Sequence, residues 1–457
     1  MLIVKILLGL IGLGLVVFVH ELGHFIAARL AGIDVEAFSI GWGKPILAKK
    51  IGGVEYRLGV FPIGGYCKMR GENEFEEAWK NRRDGLARDA GTFLGARPPA
   101  RIFVAFAGPL FNLIFAALVF TVIWGTGFEF TTMGNRVVLV SDVFPDEDYP
   151  ASRAGLKTGD RIIEINGKKV ENYRDIQNLI AINAEKELRF AVLREDSGGR
   201  PQRIELLIQP EMEKSSGAGR IGVYFWADPV VESVLPDSPA SRAGLLSGDR
   251  IVSVNGEPFL YSVALLKILD GGARPQVLDI KAERGGKAVS LEFSVPRDES
   301  VPLGINWRML TYRSPGYSVF GAVGKGFSEM WDMLVISVRS LALLFRGVDL
   351  TKAVSGPVRV TYMAGEIAAD SFSQSMGLGF RSTANFLALI SIALAVMNLL
   401  PLPVLDGGLI VLFLIEMVRR RPLHPRFISA YQTTGIVLIG ALMLFAVFGD
   451  ILFLVKG

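Results

Sequence analysis

At 457 residues the chain is long enough for several domains, and half of its residues are hydrophobic, with a mean hydropathy of +0.39. That is too apolar for an ordinary soluble protein and is typical of a membrane protein with sizeable soluble parts. The net charge of +4 is modest and no basic tract with interleaved aromatic residues occurs, which argues against nucleic acid as a partner. The single cysteine, Cys67, excludes an intramolecular disulfide framework and a multi-cysteine zinc site.

The first apolar segment ends in a metal-binding motif. The run from Ile6 to Val19 has no charged residue, and His20, Glu21 and His24 follow in the order His-Glu-x-x-His. On a helix, residues four apart share a face, so both imidazoles can bind one metal ion. Glu21 lies beside them, where it can take a proton from a water molecule. The alternative, two unpartnered histidines at membrane depth, is energetically expensive. We therefore predict a metal site on this helix.

Residues 34–70 are predicted to form a short sheet beside the metal helix. Apolar-rich runs alternate with Gly and Pro there, and a Gly-Gly pair at 52–53 indicates a hairpin turn. The pair Gly64-Gly65, followed by Tyr66, suits a bend or a close approach of two backbones. A plain surface hairpin has the same pattern. Because an exposed strand edge can hold an extended substrate by β-addition, we predict that Gly64, Gly65 and Tyr66 contact the substrate.

The second apolar segment, 102–128, follows a charged, turn-rich stretch at 71–101 that is typical of a solvated loop. Near its start stands Gly108-Pro-Leu-Phe-Asn112, in which the small glycine lets helices pack closely. Asn112 is polar at membrane depth. It either holds helices together, a common role of intramembrane amides, or touches the backbone of a substrate. The residues alone leave both interpretations open.

The middle of the chain contains an internal repeat. Pro-Ala-Ser-Arg-Ala-Gly-Leu occurs at 150–156 and again at 239–245, and Gly-Asp-Arg-Ile occurs at 159–162 and at 248–251. The offset of 89 residues is the size of a domain rather than of a solenoid unit. Each copy continues with a helical pattern and then alternating strands. We therefore predict two copies of a small α+β module.

The third apolar segment, 382–408, follows helical patterns at 315–370 that are too polar to span a membrane and are typical of interfacial helices. It contains Pro401 and Pro403, which cannot both lie inside a regular helix, so the helix is predicted to break at membrane depth. Asp406 follows the break. It is either the N-cap of the next segment or a metal ligand. Because two histidines still lack a third ligand, we favour ligation.

A catalytic zinc site typically has three protein ligands and an open position for water. His20, His24 and Asp406 supply three ligands, Glu21 is then the general base, and zinc lowers the pKa of water to about 7. Such a site hydrolyses a polarised carbonyl, most simply a peptide bond. Its depth in the bilayer predicts a membrane-embedded protein segment as the substrate. Asn398, just ahead of the break, can bond the extended backbone or the developing oxyanion.

Three separated motifs, in this order, resemble those of the site-2 protease family of intramembrane zinc metalloproteases. They are His20-Glu21-x-x-His24, Gly108-Pro-x-x-Asn112 and Asn398-x-x-Pro401-x-Pro403-x-x-Asp406-Gly407. The resemblance extends over essentially the whole chain, and the repeated modules are similar to the tandem PDZ domains of the bacterial branch that regulates sigma-E. It implies zinc at the two histidines and the aspartate, a catalytic glutamate, and a membrane-reentrant hairpin that presents an edge strand to the substrate.

The resemblance also implies biological substrates. Members of that branch cut the transmembrane segment of an anti-sigma factor after another protease has trimmed it, as part of the sigma-E stress response, and they clear remnant signal peptides. The PDZ-like pair would exclude untrimmed substrates by size. The main alternative is a non-catalytic, membrane-anchored PDZ scaffold. A transporter with a broken helix would require inverted repeats, which we do not find in the sequence.

Charge predicts the orientation in the bilayer. The connector 417–426 holds four arginines and the segment 32–101 holds twelve Lys or Arg residues, so both are expected on the cytoplasmic side. The protein is therefore expected to be a multi-pass protein of a bacterial inner membrane. With four spans, both termini and the repeated modules lie on the opposite side, in the periplasm. The catalytic site is expected near the cytoplasmic side.

The predicted fold is a polytopic α-helical membrane protein with four transmembrane helices, a membrane-reentrant β-hairpin and two inserted α+β PDZ-like domains. The predicted boundaries are 1–33 for the first transmembrane helix, 34–70 for the hairpin, 71–101 for a cytoplasmic loop, 102–128 for the second transmembrane helix, 129–226 and 227–310 for the PDZ-like domains, 315–370 for amphipathic interfacial helices, 382–408 for the third transmembrane helix with its broken end, and 427–453 for the fourth.

Overall fold

The computed structural model describes residues 2–71, 89–196, 198–213, 217–270, 276–296, 302–344, 356–421 and 423–456. The chain divides into two compact units. One is formed by Met1–Phe128 together with Pro315–Gly457, and the other by Glu129–Ser314. Residues 72–88 of the predicted cytoplasmic loop and 345–355 of the predicted interfacial region lie outside the described residues.

The first unit contains the long helices and two long strands, and the second unit contains short helices and shorter strands. The described helices are α1 Leu2–Leu30, α2 Pro98–Thr126, α3 Val140–Val143, α4 Pro150–Arg153, α5 Tyr173–Ala181, α6 Pro239–Arg242, α7 Ala264–Asp270, α8 Val319–Leu344, α9 Pro357–Gln374, α10 Met376–Asn398, α11 Asp406–Arg419 and α12 Pro425–Lys456. The described strands are β1 Val35–Ile51, β2 Val54–Met69, β3 Phe128–Thr132, β4 Val137–Leu139, β5 Arg161–Ile165, β6 Lys168–Lys169, β7 Leu188–Glu195, β8 Pro201–Ile208, β9 Glu211–Met212, β10 Gly219–Arg220, β11 Val223–Phe225, β12 Val231–Val234, β13 Arg250–Val254, β14 Glu257–Pro258, β15 Gln276–Arg284, β16 Lys287–Val295, β17 Ile305–Trp307 and β18 Leu310–Ser314.

Within the described residues, four helices are long and apolar enough to cross a membrane, as the sequence predicts. They are Lys5–Leu30, Pro98–Thr126, Met376–Asn398 and Arg426–Asp450. The second begins at Pro98 and not at 102, because prolines suit the first turn of a helix. Its charged Arg101 is tolerated there because the guanidinium is buried against the carboxylate of Glu416 on α11, at 3.0 Å. The last four residues of the predicted solvated loop are therefore helical.

The third candidate span also differs from its prediction. It begins at Met376 and not at 382, because the hydroxyl of Ser375 caps it by accepting a hydrogen bond from the Leu378 N–H. It ends at Asn398, ahead of both prolines. After a non-helical stretch the chain enters the 14-residue helix α11, which occupies much of the connector predicted between the last two spans.

Strands β1 and β2 form one antiparallel pair. Both strands bend, so the sheet has four adjacent segments, called rows here, in the order 45–51, 54–58, 35–40 and 65–69. The turn at 52–53 is present, with Ile51 opposite Val54. Both strands run further than the separate short strands that the sequence predicts, and they bend, so that Phe38 lies opposite Tyr56 on one side and Cys67 on the other. The row 65–69 is therefore an outer row of the sheet. It lies next to α1, which contacts β2.

The core of the first unit lies where α1, the sheet, α2 and α11 meet. Ala28, Phe38, Val104 and Phe413 are each at most 5% exposed there. Between helices in lipid, close van der Waals packing supplies the association energy that the hydrophobic effect supplies in water. This packing fixes the helix that carries the His-Glu-x-x-His motif against α2 and α11.

A buried carboxylate joins α9 to α12. Asp450 is 2% exposed, and its oxygens accept hydrogen bonds from the backbone N–H groups of Gly356, Val358 and Arg359 at 2.9, 3.0 and 3.1 Å. These are the orphan donors at the start of α9, which no residue preceding the helix satisfies by a side-chain hydrogen bond. A side chain more than 90 residues away in the chain thus caps this helix.

The second unit contains the same module twice. Each copy has a four-stranded sheet of the same order, β6-β5-β7-β8 in the first and β14-β13-β15-β16 in the second. The repeated Pro-Ala-Ser-Arg forms the short helices α4 and α6. Each module has its own hydrophobic core, one around Phe190 and the other around Phe293. The duplication seen in the sequence is therefore a duplication of fold.

The aspartate of the repeated Gly-Asp-Arg-Ile is structural in both modules. Asp160 and Asp249 are at most 1% exposed. Asp160 accepts hydrogen bonds from Arg194 at 2.8 and 2.7 Å, and Asp249 accepts them from Arg284 at 2.6 and 2.7 Å. The pairing of Asp249 with Arg284 holds the pKa of this carboxyl below its usual range.

Candidate metal centre

Three side chains from two helices converge inside the first unit. His20 and His24 lie one turn apart on α1, and their Nε2 atoms are 3.2 Å from each other. Asp406, the first residue of α11, places its Oδ2 atom 3.3 Å from Nε2 of His20 and 3.5 Å from Nε2 of His24. Both histidines are less than 10% exposed. The structure thus brings together the three ligands that the sequence predicts from opposite ends of the chain.

The donor set fits a zinc ion. Zinc bonds of about 2.0–2.1 Å in a tetrahedral site put neighbouring ligand atoms about 3.4 Å apart, and the three measured separations run from 3.2 to 3.5 Å. Oδ2 of Asp406 is buried and, within the described part of the chain, accepts no hydrogen bond. A buried carboxylate oxygen that accepts no hydrogen bond is expected of a residue that binds a metal ion. Two imidazoles and one carboxylate are also a usual catalytic zinc set.

Each imidazole is held at its other ring nitrogen. Nδ1 of His24 is 2.9 Å from the carbonyl oxygen of Val104, and Nδ1 of His20 is 3.1 Å from the side-chain amide nitrogen of Asn112. With that amide turned so that its oxygen faces the ring, the buried oxygen gains a donor and His20 presents Nε2 to the metal. Asn112 is fully buried. Its contact is with His20, a predicted metal ligand on another helix.

A glycine on α2 makes room for both imidazoles. A Cβ atom at Gly108 would clash with Nε2 of His24 and would lie 2.8 Å from Cε1 of His20. The sequence suggests close helix packing at this glycine. The structure shows that the atoms nearest this glycine belong to the two histidine rings, and α1 and α2 also pack closely here, since a Cβ atom at Gly23 would clash with the carbonyl oxygen of Ala107.

The broken segment between α10 and α11 positions Asp406. Side chains at Gly407 and Gly408 would clash with the carbonyl oxygens of Leu399 and Leu402, so only glycines let the broken segment fold back onto the first turn of α11. Val404 has a φ of +77°, a conformation that a β-branched residue rarely adopts. Backbone strain of this kind costs on the order of 1–3 kcal/mol. It lies two residues from the third ligand.

A cavity of about 270 Å³ opens onto the three ligands and Glu21. Three of the residues predicted to bind substrate line it, namely Gly65, Tyr66 and Asn398. Gly64 and Asn112 are not in its lining. The sequence did not indicate Phe93, which lies in the stretch interpreted as a solvated loop, or Val404, although both line the cavity. The contact of the Val104 carbonyl with His24 could not be predicted from the sequence, because every residue has a backbone carbonyl.

The edge of the sheet approaches Glu21 closely. The backbone of Cys67 is hydrogen-bonded to the Glu21 carboxylate. A methyl group at Gly65 would lie 3.2 Å from Cγ of Glu21 and 2.8 Å from the carbonyl oxygen of Ser39. The amide nitrogen of Asn398 is 3.4 Å from Nε2 of His20, on the ligand side of that ring. A carboxylate, an amide and a strand edge therefore share one small cavity with the predicted metal ligands.

Comparison with known proteins agrees with this geometry. The sequence model described as peptidase family M50 matches residues 8–442. The chain belongs to peptidase family M50. This confirms the predicted site-2 protease family, and the M50 protein is accordingly a metalloprotease with four candidate membrane helices.

Relatives of this M50 protein match it over nearly their full length. A protein of Treponema pallidum (strain Nichols) described as a zinc metalloprotease is 35% identical over 453 residues, covering 99% of each chain. The Regulator of sigma E protease of Haemophilus influenzae is 30% identical over 459 residues, covering 97% of each chain. The Protease RseP of Yersinia pestis is 29% identical over 463 residues, covering 96% of this chain and 97% of its own.

Proposed function

We propose that this M50 peptidase is an intramembrane protease that hydrolyses a peptide bond within membrane-embedded protein segments. His20, His24 and Asp406 hold zinc, and Glu21 is the general base. The observation that carries this proposal is the triangle of ligand atoms, with sides of 3.2 to 3.5 Å, in a cavity that also contains the Glu21 carboxylate.

In the proposed hydrolysis, zinc and the side chains around it have separate roles. When bound, zinc polarises the scissile carbonyl and lowers the pKa of the attacking water to about 7. Glu21 takes the proton of that water and passes it to the leaving amide nitrogen. Its hydrogen bond from the backbone of Cys67 holds the carboxylate in place beside the ligands. Asn398 lines the cavity, and its amide would stabilise the oxyanion that develops on the carbonyl oxygen.

The substrate is held in extended form. A transmembrane helix hides its carbonyls in its own hydrogen bonds, so the scissile stretch must unwind before it is cleaved. The outer row of the sheet, with Gly65 and Tyr66, lines the cavity and offers a strand edge to which an extended segment can add. In this proposal the sheet is a membrane-reentrant hairpin. The exposed apolar side chains of Trp42, Ile46 and Leu47 on its outer part support that placement.

The names of two relatives suggest which substrates are cut. One is a regulator of sigma E protease and another is Protease RseP. We infer that the natural substrates include an anti-sigma factor, cleaved after a first protease has trimmed it in the envelope stress response, and remnant signal peptides. The two modules, at 129–226 and 227–310, act as PDZ-like size filters. The protein then lies in a bacterial inner membrane with its termini and both modules in the periplasm.

Replacement of Glu21 by Gln tests the mechanism. The Glu21→Gln variant should retain zinc, because Glu21 is not a ligand, and should lose at least about 100-fold in cleavage rate, the usual contribution of a general base. The measurement combines elemental analysis for zinc with mass spectrometry of products from a model transmembrane substrate in detergent. Glu36→Gln is the matched control, since Glu36 lies on β1, half exposed, in an ion pair with Lys68.

Two results would contradict this proposal. Unchanged cleavage by Glu21→Gln would remove Glu21 from the mechanism. Absence of cleavage by the zinc-loaded wild type, across several transmembrane substrates, would favour the rival function of a membrane-anchored scaffold with two peptide-binding modules.

A further inference from the structure

A second cavity lies within the Glu129–Ser314 unit, where its two modules meet. Its volume is about 450 Å³, within the range of roughly 300–1,000 Å³ that is typical of small-molecule sites. Four arginines and one carboxylate, that of Asp228, line it. The arginines are Arg136, Arg161, Arg250 and Arg308. The lining therefore carries an excess of positive charge.

The internal repeat delivers two of these arginines. Arg161 and Arg250 are the arginines of the two Gly-Asp-Arg-Ile motifs, one in each module. The aspartate before each is buried in the ion pair with Arg194 or Arg284 described above. Each arginine is the first residue of its strand, β5 or β13, and is exposed. Duplication thus sets two equivalent arginines, from different modules, around one cavity.

Among the described residues, two of the guanidinium groups form no close ion pair. In the described part of the chain, neither Arg136 nor Arg161 has a carboxylate within 4.0 Å, whereas Arg250 is 4.0 Å from Asp228 and Arg308 is 3.2 Å from Glu232. The guanidinium of Arg136 stacks on Trp226 at 3.6 Å from the ring centre. Burial lowers the pKa of Arg136, and the charge of Arg161 acts in the same direction, whereas the carboxylates of Glu195 and Asp228 raise it.

The packing around Arg136 also orients it. Its Nε donates a hydrogen bond to the carbonyl oxygen of Gly159 at 3.1 Å. With one face on the Trp226 ring and Nε engaged, the guanidinium is held in one position with its remaining N–H groups available. A rigid, desolvated guanidinium loses little side-chain entropy when it binds an anion.

We propose that this cavity binds a phosphate-bearing anion between the two modules. Guanidinium groups bind phosphate oxygens through paired hydrogen bonds, and several of them around one cavity suit an anion with more than one charge or with many acceptor oxygens. Since Arg136 and Arg161 belong to one module and Arg250 and Arg308 to the other, the anion would also tie the modules together. This site is separate from the metal centre and does not depend on the proposed proteolysis.

Calorimetric titration of the full-length protein in detergent tests the site. The probes are glycerol 3-phosphate, a soluble phosphate ester, and dihexanoyl phosphatidylglycerol, a soluble form of an anionic lipid headgroup, with ionic strength matched by sodium chloride. We expect saturable binding of at least one probe by the wild type. Arg161→Gln combined with Arg250→Gln should weaken it by at least about tenfold, because a hydrogen bond to a charged group contributes more than one kcal/mol.

A double variant of equal charge change supplies the control. Arg203→Gln with Arg242→Gln removes one exposed arginine from each module outside the cavity, and it should bind the probes as the wild type does. Preference for one probe identifies the source of the phosphate as a soluble ester or a lipid headgroup. Equal binding by the wild type and the Arg161/Arg250 variant, equal losses in both double variants, or no saturable binding of either probe by the wild type would each overturn the proposal.

Discussion

At the scale of single residues, the metal centre depends on groups that never touch the metal. A histidine held at its second nitrogen presents a fixed tautomer and ring orientation. Here the carbonyl of Val104 holds His24, the amide of Asn112 holds His20, and Gly108 leaves space for both rings. The Gly-Pro-x-x-Asn sequence is therefore part of the metal site, although it contributes no ligand.

Replacement of Asn112 should weaken zinc binding. Asn112→Leu keeps the branched shape of the side chain and removes the polar group beside Nδ1 of His20, and we expect a loss of about 10- to 100-fold in zinc affinity, the usual effect of such outer partners. Competition with a chromophoric chelator measures the affinity, and circular dichroism checks the fold.

The conservative replacement is the control for this prediction. Asn112→Asp keeps an acceptor in the same place and should bind zinc within a few-fold of the wild type. Zinc binding by Asn112→Leu as tight as that of the wild type would show that Asn112 only joins the helices.

At the scale of secondary-structure elements, the end of α10 and the start of α11 position Asp406. The two prolines predicted a break, and the break occurs, but it begins at Leu399, and the helix that follows starts with Asp406 itself. The N-cap of that helix is Leu405 and not the aspartate. The carboxylate, for which the sequence analysis favoured ligation over capping, faces the histidines.

The Asp249–Arg284 pair should make the second module sensitive to acid. Because pairing lowers the pKa of Asp249 in the folded state, its contribution is present above the unfolded pKa of about 3.9 and is lost as the pH falls through the lower folded value. Asp249→Asn should destabilise the module at pH 7 by on the order of 1.5–3 kcal/mol and should have a smaller effect near pH 3. Hydrogen exchange of β13 and β15 measures both.

The control for the acid prediction lies on the same sheet. Asp279 on β15 is exposed, so Asp279→Asn should leave the exchange rates unchanged at either pH. An equal effect of Asp249→Asn at pH 7 and pH 3 would show that the pair acts through packing and not through charge.

At the scale of the whole molecule, the proposed metal would join segments from both ends of the chain. His20 and Asp406 are about 400 residues apart, yet they belong to one compact unit, while the residues between Glu129 and Ser314 form another with its own cores. An ion bound to α1 and α11 would stabilise only the unit that contains them, because binding lowers the free energy of the folded state that binds it.

Removal of zinc should therefore loosen one unit and spare the other. We expect treatment with 1,10-phenanthroline to speed hydrogen exchange in the broken segment 399–405 and in the first turn of α11. Exchange in β5 and β13 should not change. Restoring zinc should reverse the effect.

A variant lacking the third ligand separates zinc loss from chelator effects. Asp406→Ala should exchange quickly in the same segment with or without phenanthroline. Equal acceleration in both units, or none in either, would contradict a metal that joins α1 to α11.

The sequence by itself determined the spans, the repeat and the chemistry of the ligands. Apolar runs of about 20 residues, histidines four apart and paired prolines are local patterns, and local patterns carry over into local structure because they act through helix geometry and backbone sterics. The same patterns led to the M50 family, which the comparison confirms.

Only the tertiary structure shows which residues of different elements are in contact. It turned Asn112 toward His20, brought Asp450 to the start of α9, and set the two repeated arginines around one cavity. Each of these contacts joins residues from different elements, and several involve backbone carbonyls or N–H groups that every residue possesses. Contacts of that kind depend on how helices and sheets pack, so the order of residues along the chain does not reveal them.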